Sequence, residues 1–138
     1  YEDLTVAENL RLFADCCNND SGLRVLSEEV IRFQLSAFLE RRVSECSQGI
    51  ARRASIVRAL LNRPELLLLD EPYSSLDQIG RAALDQVLAQ YKSAGRTVLL
   101  ASHDPEILAR HTGPRLVLRG GEVADVTPRP EQSQQALH

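Results

Sequence analysis

This sequence predicts an α/β fold in two successive parts, an all-helical lobe and then an incomplete parallel sheet closed off by a hairpin. Three observations carry it. Between about residues 4 and 62 the apolar side chains recur at helical spacings of three and four. From Leu66 the pattern changes to short unbroken apolar runs separated by helix-length segments, the alternation that builds a parallel sheet covered on both faces. Arg115 to Arg119, Gly120-Gly121 and Glu122 to Val126 then read as two strands joined by a two-glycine turn.

The elements follow in order. Thr5-Val6-Ala7-Glu8 has the Ser/Thr-x-x-Glu pattern of a capping box, in which each side chain satisfies a free backbone N–H at a helix start. A first helix is expected from Val6 to about Cys16, with Val6, Leu10, Phe13 and Cys17 on one face, before loop chemistry in Asn18-Asn19-Asp20-Ser21-Gly22. A second helix is expected from about Glu28 to Glu40, burying Ile31, Leu35, Phe38 and Leu39. Ser47 is the natural N-cap of a third helix that starts at Gln48, buries Ile50, Ala54, Val57 and Leu61, and stops before Pro64.

Leu66 to Asp70 and Thr97 to Ala101 are the two strands, with a helix from about Gln78 to Ala94 between them, stopped by Gly95. Asp104-Pro105-Glu106 supplies the cap, proline and acidic first turn of a short helix reaching about Arg110. After Thr127 there is little to bury, and a disordered tail over 127–138 is expected.

With 138 residues, 43% hydrophobic and 25% charged, the chain is long enough for one modest core. The net charge of −3, and basic residues scattered apart from Arg41-Arg42 and Arg52-Arg53, give no nucleic-acid surface. Three cysteines fit neither a disulfide framework nor a zinc site, so a reducing, cytoplasmic setting is expected. No run approaches the roughly 20 apolar residues that span a bilayer, so any membrane connection runs through a partner. The chain opens without Met and already at a helix start, from which an N-terminal truncation is expected.

The chemistry concentrates after Leu66. A strand ending in Asp70-Glu71 carries its last side chains to the crevice where α/β proteins bind ligands. Asp70 suits a magnesium ion held through water, while Glu71, expected to point elsewhere by strand alternation, can act as general base on an attacking water. His103, after the second strand, can donate to a terminal phosphate. Ser75 and Asp77 lie on a loop able to reach a second subunit. Ser47-Gln48-Gly49 opens a helix whose free N–H groups suit an anion. Taken singly, each has a plainer reading: a strand end, a structural histidine, an N-cap at Asp77, and a capped helix with an exposed face of Arg52, Arg53 and Arg58. The phosphate-cradling Gly-x-x-x-x-Gly-Lys-Ser/Thr pattern does not occur, and none of the seven glycines precedes a lysine.

Together, Cys46-Ser47-Gln48-Gly49-Ile50-Ala51-Arg52-Arg53, Arg58-Ala59-Leu60, the Leu66 to Pro72 run, Ser74-Ser75-Leu76-Asp77 and Ser102-His103-Asp104 resemble the nucleotide-binding domain of ABC transporters, a P-loop NTPase-like fold. The resemblance spans nearly all of residues 1–126, a helical subdomain over about 4–62 and an α/β core part over 65–126. It implies that Ser47, Gln48, Gly49 and Asp77 face an ATP held by the opposite subunit of a homo- or heterodimer, that Asp70 supports Mg²⁺, that Glu71 is the catalytic base and that His103 is the switch. It also implies permease subunits as partners, a place on the inner face of the membrane, and inactivity of this chain alone. Tyr1 to Asn9 is similar to the segment after the family's Q-loop.

Cys46, Gln48 and Ile50 depart from the usual Leu-Ser-Gly-Gly-Gln signature. Ser-x-Gly-Ile followed by arginines is similar to some exporter ATPases, among them the heme exporter of cytochrome c maturation, which makes export, and heme as cargo, the expectation. Two other classes remain open: a soluble relative acting on DNA or ribosomes, and a non-catalytic interaction module that kept the fold.

Overall fold

The structure, a computed structural model, describes residues 1–16, 20–111 and 113–128, and of 20–25 only the helical backbone. The element order is α1 (Val6–Cys16), α2 (Asp20–Arg32), α3 (Gln48–Leu60), β1 (Leu66–Asp70), α4 (Gln78–Ser93), β2 (Thr97–Ala101), α5 (Pro105–Arg110), β3 (Arg115–Arg119) and β4 (Glu122–Thr127), with single 3-10 turns at Ser36–Phe38 and Val43–Glu45. The chain divides into two compact units, Tyr1–Ser102 and His103–His138. This is the expected α/β fold, with a parallel and an antiparallel strand pair.

In the first unit α1 starts with the reciprocal cap anticipated at Thr5. The Glu8 N–H donates to Thr5 Oγ1 at 3.1 Å and the Thr5 N–H donates to Glu8 Oε2 at 2.8 Å. Those bonds hold the exposed Glu8 carboxyl below its ordinary range. Val6, Leu10 and Ala14 turn inward, and α1, α2 and α3 pack on one another. Arg58 of α3 lies over the Phe13 ring, 4.5 Å from its centre.

The second helix differs from expectation at both ends. It begins at Asp20, inside the expected loop, and stops at Arg32 instead of Glu40. Leu35 N–H donates to Val30 O and Gln34 N–H to Ile31 O, with Gln34 at φ +49°. That is a Schellman termination with glutamine in the left-handed position. The stripe is corrected with it: Val30, Phe33 and Leu35 are buried, while Ile31 is 70% exposed and Phe38 and Leu39 are only half-buried. Gln34→Gly is therefore expected to stabilise the chain by about 1 kcal/mol, because glycine carries no Cβ penalty there; a higher urea midpoint with unchanged slope is the check. Cys17, Asn18, Asn19 and residues 129–138 of the expected tail lie outside the described residues.

β1 and β2 pair in parallel with Asp70 opposite Ala101, and α4 packs on β2. α4 ends at another Schellman turn with Gly95 at φ +68°. Within the first unit, the described residues cover one face of this strand pair: Leu67 and Leu69 are buried, whereas Leu66, Leu68 and Leu99 are 52%, 62% and 64% exposed. In the second unit β3 and β4 form the expected hairpin through Gly120 and Gly121, both at positive φ.

Candidate functional site

β1 ends at Asp70 and the chain turns sharply, with Glu71 at φ +42° and Ser75 at φ +61°. Non-glycine residues adopt this left-handed conformation rarely, at a cost on the order of 1–3 kcal/mol each, and such strain clusters at functional sites. Strand alternation thus stops at Asp70, and the turn, not alternation as expected, aims Glu71. Asp70 is exposed and Glu71 half-buried.

Several bonds hold the turn. The Glu71 N–H donates to Ala101 O at 2.9 Å, extending the ladder by one step. Arg52 Nη2 donates to the carbonyl oxygens of Asp70 at 2.5 Å and Glu71 at 2.7 Å, charge-assisted bonds stronger than neutral ones. Ser102 Oγ donates to Glu71 Oε2 at 3.0 Å.

The start of α3 lies against the same loop. Ser47 is its N-cap, its Oγ accepting from the Ile50 N–H at 3.3 Å. A Cβ at position 49 would come within 3.1 Å of Ser75 O, so glycine lets the helix start approach the loop. Gln48 Oε1 accepts from Ser75 Oγ at 3.5 Å. Cys46, just before, donates its thiol to Arg42 O at 3.3 Å, and burial pushes that thiol's pKa up, which keeps it protonated.

Asp77 is the N-cap of α4, with Oδ1 accepting from the Gly80 N–H at 2.9 Å, and its carboxylate also pairs with Arg53. Here the exposed arginine face is corrected: Arg53 is 6% exposed, and its Nη1 donates to Phe33 O at 3.1 Å. The helix turns Arg53 inward because two chain ends, that of α2 and that before α4, present oxygens there.

His103 is exposed and opens the second unit, followed by Asp104, whose Oδ1 caps α5 by accepting from the Glu106 N–H at 2.9 Å. Ser47, Gln48, Gly49, Asp70, Glu71 and Asp77 belong to the first unit. Among the described residues no cluster of three or more His, Cys, Asp or Glu is arranged to hold a metal. One exposed carboxylate at Asp70 matches only an ion that keeps most of its water, as Mg²⁺ does. No described helix is long and apolar enough to cross a membrane.

Arg52, Arg53 and Ser102 carry contacts at the site that the sequence pattern alone does not assign to them. The signal for Ser102 was available in principle: parallel pairing of the two apolar runs sets residues 71 and 102 side by side just past the ladder.

The ABC transporter family model matches residues 1–74. The chain is 35% identical over 122 residues to the probable syringafactin export ATP-binding/permease protein SyfD of Pseudomonas syringae pv. syringae (strain B728a), covering 87% of this chain and 18% of that protein. It is 35% identical over 123 residues to the Nod factor export ATP-binding protein I of Neorhizobium galegae, covering 88% and 35%. A further relative, 34% identical over 134 residues and covering 94% and 36%, is the spermidine/putrescine import ATP-binding protein PotA of Legionella pneumophila (strain Paris). The chain thus spans between 18% and 36% of the length of these curated relatives. Among solved structures, the ATP binding subunit of an ABC transporter superimposes with a TM-score of 0.85 at 29% identity, over 93% of this chain and 54% of that one. A dimeric ATP-binding cassette in a post-hydrolysis state, bound to ADP and Pi, shares the fold with a TM-score of 0.80 at 24% identity, over 95% and 59%.

Proposed function

The chain belongs to the ABC transporter ATPase family, and from that premise we propose that it is part of a subunit that hydrolyses ATP at a dimer interface and drives export through separate permease subunits. The observation that carries this reading is Glu71, set on a strained turn at a strand's end with its carboxylate held by Ser102. Glu71 takes the proton of the attacking water, as a general base does. His103 donates to the terminal phosphate, and Asp70 is the residue that would hold Mg²⁺ through its water shell. Mg²⁺ held there would supply positive charge against the phosphates.

Ser47, Gln48 and Gly49 present the start of α3 to the ATP of the opposite subunit, with the positive end of the helix dipole toward the phosphate. Asp77 lies on the interface loop beside them. The subunit sits peripherally on the inner face of the membrane, held by its permeases, and binds no nucleic acid. The 1–126 domain, divided at about residue 62, is the unit we assign to this task. Two of the relatives named above are exporters, which favours export. Heme as cargo rests on the likeness of the Ser-x-Gly-Ile signature, the opening from Leu4 to Ala14 and the short helical lobe to the heme exporter; the relatives named for syringafactin, Nod factor and spermidine/putrescine do not support it.

Ser47→Asp tests the interface role without unfolding α3, because aspartate is as good an N-cap as serine. In the cassette that joins this chain to its phosphate-binding loop, the variant is expected to keep its melting temperature and bind ATP as a monomer. Its ATP-dependent dimerisation should weaken at least about tenfold, through like-charge repulsion with the γ-phosphate. Unchanged sedimentation with ATP refutes the role.

A further inference from the structure

Glu71 is constrained at three places. Its N–H is tied to Ala101 O at 2.9 Å and its carbonyl to Arg52 at 2.7 Å, so the main chain has little freedom to swing. What remains is rotation of the side chain, and Ser102 Oγ, 3.0 Å from Oε2, bears on that. The placement is a product of topology: Asp70 pairs with Ala101, so in a parallel ladder the next residues of the two strands, Glu71 and Ser102, leave the sheet side by side. Both are half-buried, where a hydroxyl–carboxylate bond is less diluted by water than at an open surface.

We propose that Ser102 is a positioning residue for the hydrolytic step: its hydroxyl holds one oxygen of the Glu71 carboxylate and so sets the aim of the group that takes the proton from water. This rests on the reading of Glu71 as the base. A base displaced from its productive geometry slows the chemical step while substrate affinity, supplied by other groups, stays.

The test is ATP turnover by the cassette carrying this chain with its phosphate-binding loop. In Ser102→Ala, kcat is expected to fall about tenfold, with KM for ATP within about twofold and the melting temperature unchanged. Ser102→Thr, which keeps the hydroxyl, should recover most of the loss. In a Glu71→Gln background, adding Ser102→Ala should cost nothing further, since residues that act as a unit are not additive. Normal kcat in Ser102→Ala overturns the proposal, as does an equal loss in the Glu71→Gln background. Wild-type turnover in Glu71→Gln alone overturns instead the assignment of the base.

Discussion

Glu71→Gln is expected to abolish most ATP turnover while leaving ATP binding intact. The substitution keeps the size and planarity of the side chain, and the amide oxygen can still accept the Ser102 hydroxyl that now bonds Oε2 at 3.0 Å. The backbone turn at φ +42° is untouched, because it is held by main-chain bonds to Ala101 and Arg52. What is lost is the ability to accept a proton. General-base catalysis contributes roughly 10²–10⁴-fold, and the drop in kcat is expected within that span. Steady-state ATPase assays and binding of a fluorescent ATP analogue, both on the cassette with its phosphate-binding loop, separate the two effects. A variant that turns over like wild type sinks the base assignment.

The largest stability loss is expected from Arg53→Ala. This guanidinium, 6% exposed, donates to Phe33 O at the end of α2 and pairs with Asp77 at the start of α4. Its stem packs beside Gly80, where a Cβ would approach Arg53 Cγ to 3.2 Å. One side chain thus ties three helices. Truncation strands the Phe33 carbonyl and leaves a void, although Asp77, with its side chain about half exposed, can recover water and keeps its cap on Gly80. Breaking a buried pair costs about 3–5 kcal/mol, and the exposure of one partner lowers the expectation to about 2–3 kcal/mol. Lysine should restore little of it, since a point charge cannot bond both oxygens as a guanidinium fork does. Urea denaturation reads the difference, with Arg11→Ala, on an exposed helix face, as the control expected within about 0.5 kcal/mol of wild type. A neutral Arg53→Ala would reinstate the surface role that the sequence pattern implied.

The elements that were legible are those whose signals are local. Thr5 and Glu8 close a capping box whatever packs above them; Ser47, Asp77 and Asp104 cap the helices that follow them; Gly95 and Gly120-Gly121 take the left-handed conformations that glycine permits. The strands at Leu66 and Thr97 were legible as short apolar runs between turn signals. The end of α2 was not, because the left-handed position holds Gln34 instead of glycine. Val30 and Leu35, buried on either side of it, hold that turn through packing.

The candidate site divides the same way. By itself the sequence determined that Ser47, Gln48 and Gly49 open a helix and offered Asp70, Glu71 and His103 as the groups proposed for the chemistry, because side-chain type and N-cap preference belong to the residues. Only the tertiary structure decided that Glu71 sits on a left-handed turn clasped by Arg52 and Ser102, that Arg53 faces inward, and that Leu66, Leu68 and Leu99 are exposed among the described residues. Those depend on which segments lie alongside one another, and partners some twenty to thirty positions apart in the chain are chosen by strand register and helix packing, which no local pattern specifies.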